Sequence, residues 1–119
     1  MGNYKKKLGE IGENYAIKYL KSKGYKILAR NVHLGKREID IISFKNNSIV
    51  FVEVKTRNED KYVDILDSIG EEKKESLISS CEEYLSLLKS NKFSYRIDLL
   101  GIVIRNNIIR KFEHIKGII

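Results

Sequence analysis

From Lys6 to Lys23, apolar side chains recur at Leu8, Ile11, Tyr15, Ala16, Tyr19 and Leu20, close to the 3.6-residue period of an amphipathic helix. Gly24 follows as its C-terminal cap. The period then shortens. Tyr25 to Val32 reads as a strand, and two further runs, Glu38 to Phe44 and Ser48 to Lys55, flank Asn46-Asn47, a pair suited to a tight hairpin turn. A second helical stripe of Leu77, Ile78, Cys81, Tyr84, Leu85 and Leu88 predicts a helix over Glu71 to Ser90. Ser94 to Arg105 and Ile108 to Ile115 predict a closing hairpin about Asn106-Asn107. The acidic, poorly periodic stretch from Asn58 to Ile69 reads as a mobile loop placed to cover a cleft. Helix, three strands, helix, two strands is an α/β order.

The first hairpin carries an unusual charge pattern. With a two-residue turn, Lys45 faces Ser48, and counting outward sets Asp40 opposite Glu53 and Glu38 opposite Lys55. Period two then sends Glu38, Asp40, Glu53 and Lys55 to one face and Ile39, Ile41, Val52 and Val54 to the other. A carboxylate buried among Ile, Val and Phe costs on the order of several kcal/mol unless a cation or hydrogen bonds compensate it. Two readings fit. In one, Asp40 and Glu53 give oxygens to Mg²⁺ or Mn²⁺ while Lys55 orients or deprotonates an attacking water. In the other, the charges form a solvated face with cross-strand pairs such as Glu38 with Lys55. Spacing alone leaves both open.

Composition narrows the partner. The 119 residues make a single domain spanning 1–119, and 42% hydrophobic residues with no proline and no low-complexity stretch argue for a compact fold over a disordered adaptor. A formal net charge of +7 favours an anionic partner, of which a nucleic-acid backbone is the commonest, although a merely soluble basic protein has the same balance. The candidate phosphate contacts are Arg30, Lys36, Arg37, Arg57 and Lys73, together with the Lys5-Lys6-Lys7 run. Arg30, at a strand end, is more often just solvated, and Lys73 reads equally as a solvated cation. One cysteine, Cys81, forms no internal disulfide and sits in the second helical stripe, where packing is its expected role. His33, Cys81 and His114 make no zinc pattern. No apolar run approaches the ~20 residues that span a bilayer, so a cytoplasmic protein without membrane insertion is expected.

Asp40 followed by Glu53-Val54-Lys55 on a hairpin resembles the PD-(D/E)xK nuclease motif, without the proline of that name. Ordered blocks extend the resemblance over nearly the whole chain: Gly9, Gly12-Glu13, Ala16 and Tyr19-Leu20; Gly24-Tyr25; Arg30-Asn31; Glu38-Ile39-Asp40; Phe51 to Arg57; Lys73; Tyr84-Leu85; and Arg96-Ile97-Asp98. Together they are similar to the YraN-like uncharacterised protein family, which shares the restriction-endonuclease-like fold with archaeal Holliday-junction resolvases. Lys36-Arg37 stands where that family commonly has glycine, and the stretch after Asn58 lacks its usual glycine and proline.

The resemblance implies a three-layer sandwich with a mixed central β-sheet flanked by helices. It also implies an Mg²⁺- or Mn²⁺-dependent endonuclease acting on nucleic acid, DNA in branched or otherwise structured form. Asp40, Glu53 and Glu13 would then be the metal ligands and Lys55 the residue that positions water. Without the resemblance, Glu13 is an ordinary helical glutamate pairing with Lys18 or Lys6. Asp98 either pairs with Arg96 or helps shape the core edge, and stays outside the catalytic set. A homodimer is expected, since two strands are cut symmetrically. The alternatives are a non-catalytic nucleic-acid-binding module and an interaction protein of DNA metabolism with the same fold.

Overall fold

Asn46 and Asn47 have φ of 51° and 63°, and Asn106 and Asn107 have φ of 52° and 62°. Two consecutive left-handed residues define a type I′ turn, and asparagine tolerates that region because its short side chain bonds locally. Both hairpins therefore turn where the pattern predicts, with Lys45 facing Ser48 and Arg105 facing Ile108. The computed structural model describes residues 2–58, 69–88 and 93–119, with side chains from residue 4 onward. Most of the expected loop over Asn58 to Ile69, and the expected end of the second helix, lie outside the described residues.

The elements are α1 (Gly2–Ser22), β1 (Lys26–Leu34), β2 (Arg37–Lys45), β3 (Ser48–Asn58), α2 (Glu71–Leu87), β4 (Ser94–Arg105) and β5 (Ile108–Ile115). Helix α1 starts before Lys6 because lysines propagate a helix well without marking one face. Gly24 caps it, with φ of 88°: the Gly24 N–H donates to the Lys21 carbonyl and the Tyr25 N–H returns to Leu20. Strand β3 runs past Lys55 because β4 pairs with it all the way to Asn58–Ile104.

The sheet order is β1-β2-β3-β4-β5, with β3 and β4 parallel and every other pair antiparallel. Residues Ile97 to Ile104 of β4 are all buried, as a strand covered on both faces requires. On one face Ala16 and Leu20 of α1 pack on Ile41, Val50, Val52, Leu100 and Ile102. On the other, Leu77 and Cys81 of α2 pack on Ile39, Ile42, Phe51 and Ile97. This is the expected three-layer sandwich around a mixed sheet. Burial pushes the Cys81 thiol up to about 12, which leaves it inert as a nucleophile. Among the described residues no helix is long and apolar enough to cross a membrane.

Asp98 is wholly buried and fully satisfied. Its oxygens accept from Arg96 Nε at 2.9 Å and Nη2 at 3.2 Å, from the Gly117 amide at 3.0 Å, and meet His114 Nε2 at 2.8 Å. These donors hold its carboxyl below the ordinary range despite burial. The Arg96 pairing is the one expected from sequence; the tie through His114 to the Tyr19 hydroxyl, at 2.8 Å, clamps β5 and α1 to the same point.

Gly12 sets how closely α1 approaches the sheet. A Cβ there would lie 2.0 Å from Thr56 Oγ1 and 3.1 Å from Thr56 Cβ, whereas at Gly9 nothing lies within 4 Å. Gly12→Ala is expected to lower stability by roughly 1–2 kcal/mol even after its gain in helix propensity, and Thr56→Ala to recover part of the loss. Gly9→Ala is expected to raise stability by up to about 1 kcal/mol. Urea denaturation of the three variants checks both signs.

Candidate active site

Pairing between β2 and β3 runs from Lys45–Ser48 only as far as Ile41–Val52. Beyond it, β2 stays with β1 as far as Arg37, while β3 stays with β4 as far as Asn58. The sheet forks, and Asp40 is the first residue of β2 inside the fork. Its Oδ2 accepts the backbone N–H of Val54 at 2.8 Å, so a carboxylate serves an amide at the point where the strand partner departs. The expected pairs Asp40–Glu53 and Glu38–Lys55 are therefore not formed, and Glu38 faces His33 instead.

Face alternation fails at the same place. Ile41, Val52 and Val54 join the core under α1 as expected, but Ile39 joins the core under α2. Asn31, across from Asp40 between the Arg30–Ile41 and Val32–Ile39 pairs, has φ of 52°. A left-handed residue there twists the β1–β2 ribbon, and period two is lost across it. The acids consequently do not share one face. Glu13 approaches Asp40 from the α1 side, and Glu53 approaches it from the side of α2, where Lys73 stands.

Both flanking glutamates are held in an uncomfortable state. Glu53 is 6% exposed, and its Oε2 has no hydrogen-bond partner; nor does Oε1 of Glu13. Burial, then the neighbouring Asp40 carboxylate, raises the Glu53 pKa to about 7. The same two causes raise Glu13, against the opposing pull of Arg30. The chain's own cations stop short: Lys73 Nζ is 3.8 Å from Glu53 Oε2, and Arg30 Nη2 is 3.6 Å from Glu13 Oε1. Among the described residues no set of three or more carboxylate, imidazole or thiol groups is gathered as a ready-made metal cage.

Glu13, Asp40 and Lys55 line one open cavity of about 560 Å³ between the first half of α1 and the end of β3, and Arg57 lies on its wall. Of the other expected phosphate contacts, Arg30 is at the site, also reaching Asn14 Oδ1 at 3.3 Å. Lys73 is drawn to Glu53, and Arg37 is paired with Glu83 of α2 at 2.8 Å. Lys36 is exposed in the β1–β2 turn.

Residues 12–102 match the model of a family described as uncharacterised protein family UPF0102, the YraN-like family. The chain belongs to this family. A UPF0102 protein of Chlorobium phaeobacteroides (strain BS1) is 37% identical over 113 residues, covering 91% of this chain and 90% of its own length. One from Dehalococcoides mccartyi (strain ATCC BAA-2100 / JCM 16839 / KCTC 5957 / BAV1) is 35% identical over 102 residues, covering 86% and 84%. Among solved structures, an fdxN element excision controlling factor protein from Anabaena variabilis aligns over 87% of this chain and 98% of its own at a TM-score of 0.41 and 11% identity.

The segment matched to UPF0102 holds Glu13, Asp40, Glu53 and Lys55, but Tyr4 and Lys5, which line the same cavity, precede it. Sequence reasoning passed over Tyr4 as a site residue. Its signal was an aromatic beside a lysine run, a pairing that suits nucleic acid. Thr56, present in the sequence reading only within the Phe51 to Arg57 block, also lines the cavity and meets Gly12.

The raised Glu53 carboxyl has a signed consequence for this UPF0102 chain. Between the ordinary glutamate pKa of 4.5 and about 7, the folded state keeps a proton that the unfolded state has lost, so stability falls as pH rises through that window. Glu13 acts in the same direction; Asp98, with a lowered pKa, acts below the window. In EDTA, the protein at about pH 8 should be less stable than at about pH 5 by on the order of 3 kcal/mol. Glu53→Gln should flatten most of that slope, as read from denaturant melts across pH.

Proposed function

We propose that this chain is a divalent-metal-dependent endonuclease hydrolysing phosphodiester bonds in nucleic acid, DNA in branched or otherwise structured form. The observation that carries the reading is the pair of buried carboxylate oxygens without hydrogen bonds, on Glu13 and Glu53, to either side of Asp40. Hard, desolvated carboxylate oxygens suit Mg²⁺ or Mn²⁺, which needs only one or two protein carboxylates and fills its other positions with water and phosphate. Asp40 and Glu53 would hold the ion, with Glu13 completing or orienting that shell. Bound there, the ion supplies Lewis acidity toward the phosphate and lowers the pKa of a bound water. Lys55, on the same cavity wall, orients the attacking water and offsets negative charge on the pentavalent phosphorus. Arg57 and Arg30 hold flanking phosphates. A C2 pair of copies in the cytoplasm, each cutting one strand, belongs to this proposal.

One observation favours the alternative of a binding module that does not cleave. Lys73 and Arg30 already lean toward the two orphaned oxygens, as they would if the acids were neutralised within the chain. Metal binding separates the two readings. For the nuclease, Mn²⁺ raises the melting temperature more at about pH 8 than at about pH 5, because at the lower pH it must displace the proton that Glu53 holds.

The deciding experiment is cleavage of labelled four-way junction, flap, single-stranded and duplex DNA with Mg²⁺ or Mn²⁺. Asp40→Asn keeps an oxygen for the Val54 amide and so should fold, yet lose at least roughly a hundredfold in rate, as should Lys55→Ala. Equal cleavage by all three proteins would trace the activity to a contaminant. DNA binding without cleavage or metal response would leave the binding module.

A further inference from the structure

The cavity at the fork does not end at Arg57. A second one of about 610 Å³ adjoins it, sharing Tyr4, Leu8 and Asn58 and continuing to Arg105 and the Asn106-Asn107 turn. The two form one trough, leading from Asp40 across the start of α1 to the β4–β5 hairpin. Tyr4 stands at the junction. It is 56% exposed, and its hydroxyl is tied to the side-chain amide of Asn58, so the ring is held in place rather than swinging free. Lys5 and Arg57 lie on the wall of the first cavity and Arg105 on that of the second.

We propose that this trough takes a single-stranded stretch of nucleic acid adjoining the reacting phosphate, with an unpaired base stacked on Tyr4. The inference rests on the nuclease reading for its ligand class and goes beyond it in naming the substrate feature and the residue that reads it. An exposed, tethered ring in a basic trough fits a base better than an apolar side chain, because the trough also supplies cations for the backbone on either side. Within a duplex, every base already stacks on its neighbours, and none offers a free face to Tyr4. Only a tail, flap, gap or frayed end does. Preference for such substrates follows from stacking and does not require reading of base edges.

The chain has no tryptophan, so Tyr4→Trp places the variant's single tryptophan at the junction, where it can be excited selectively over the tyrosines. Full-length wild type, Tyr4→Ala, Tyr4→Trp and Gly9→Leu would be titrated in EDTA with a blunt duplex, the same duplex carrying a single-stranded tail, and a version whose tail is abasic. Gly9→Leu fills open space in the trough from the α1 side without a clash at Cβ. Wild type should bind the tailed duplex roughly tenfold tighter than the blunt or abasic one. Tyr4→Ala at unchanged melting temperature, and Gly9→Leu at an unchanged or raised one, should abolish that preference while still binding the blunt duplex. Tyr4→Trp should keep the preference and be quenched by the tail with bases but not by the abasic tail. Equal affinity of wild type and Tyr4→Ala for the tailed duplex would overturn the stacking role and leave the nuclease reading intact. Absence of salt-sensitive binding by wild type to any of the three would overturn both.

Discussion

Where β2 leaves β3, the amide of Val54 loses the strand that would have accepted its hydrogen, and the Asp40 carboxylate takes that place at 2.8 Å. An unpaired buried amide costs roughly as much as a lost hydrogen bond, so the fork exists only because a side chain closes it. Asp40 is thereby fixed to the backbone of β3 between Glu53 and Lys55. Glu13 is brought to the opposite side of it by α1, which the absence of a side chain at Gly12 allows to settle on Thr56. One hydrogen bond and one missing methyl position four functional groups from three elements.

The chain buries carboxylates in two opposed ways on neighbouring strands. Asp98 of β4 is given Arg96, His114 and the Gly117 amide, and its pKa falls. Glu53 of β3 is given no hydrogen bond at Oε2, and its pKa rises to about 7. The contrast is informative because the same protein has the means to satisfy a buried acid. Glu53, buried beside Asp40 and one residue from the Val54 amide that Asp40 holds, is instead left as a destabilising acid. Asp98, for all its ionic partners, has the character of a rivet.

Much of this architecture was legible in the residues, for identifiable reasons. Asn46-Asn47 and Asn106-Asn107 announce left-handed turns, so both hairpins and their registers near the turn follow directly. The 3.6-residue stripes locate both helices, although lysines at the start of α1 carry no stripe and hide its first turn. The acids and Lys55 were visible through their motif. Their arrangement was not, because counting along an ideal ladder assumes that the ladder continues. The ladder stops at Ile41–Val52, and the twist at Asn31 carries Ile39 to the other face from Ile41. Nor does local pattern reveal that β3 and β4 run parallel, which is what lengthens β3 beyond Lys55 to carry Arg57 to the cavity wall.

The parallel pairing of β3 with β4 also bears on the order of assembly. Strands β1, β2 and β3 form a meander through short local turns, whereas β4 joins β3 only after the chain has closed a long loop through α2. Local contacts form first, and loop-closing parallel pairs reward the chain late. On that order, the docking of β4 and α2 seals Glu53 from water, and its desolvation penalty falls on a late stage of folding. Relief of the penalty, by a proton or by a cation, then acts chiefly by slowing unfolding, with little effect on the folding rate. Whatever neutralises this carboxylate then lengthens the lifetime of the native fold, and its protonation becomes a kinetic latch on the sheet that houses it.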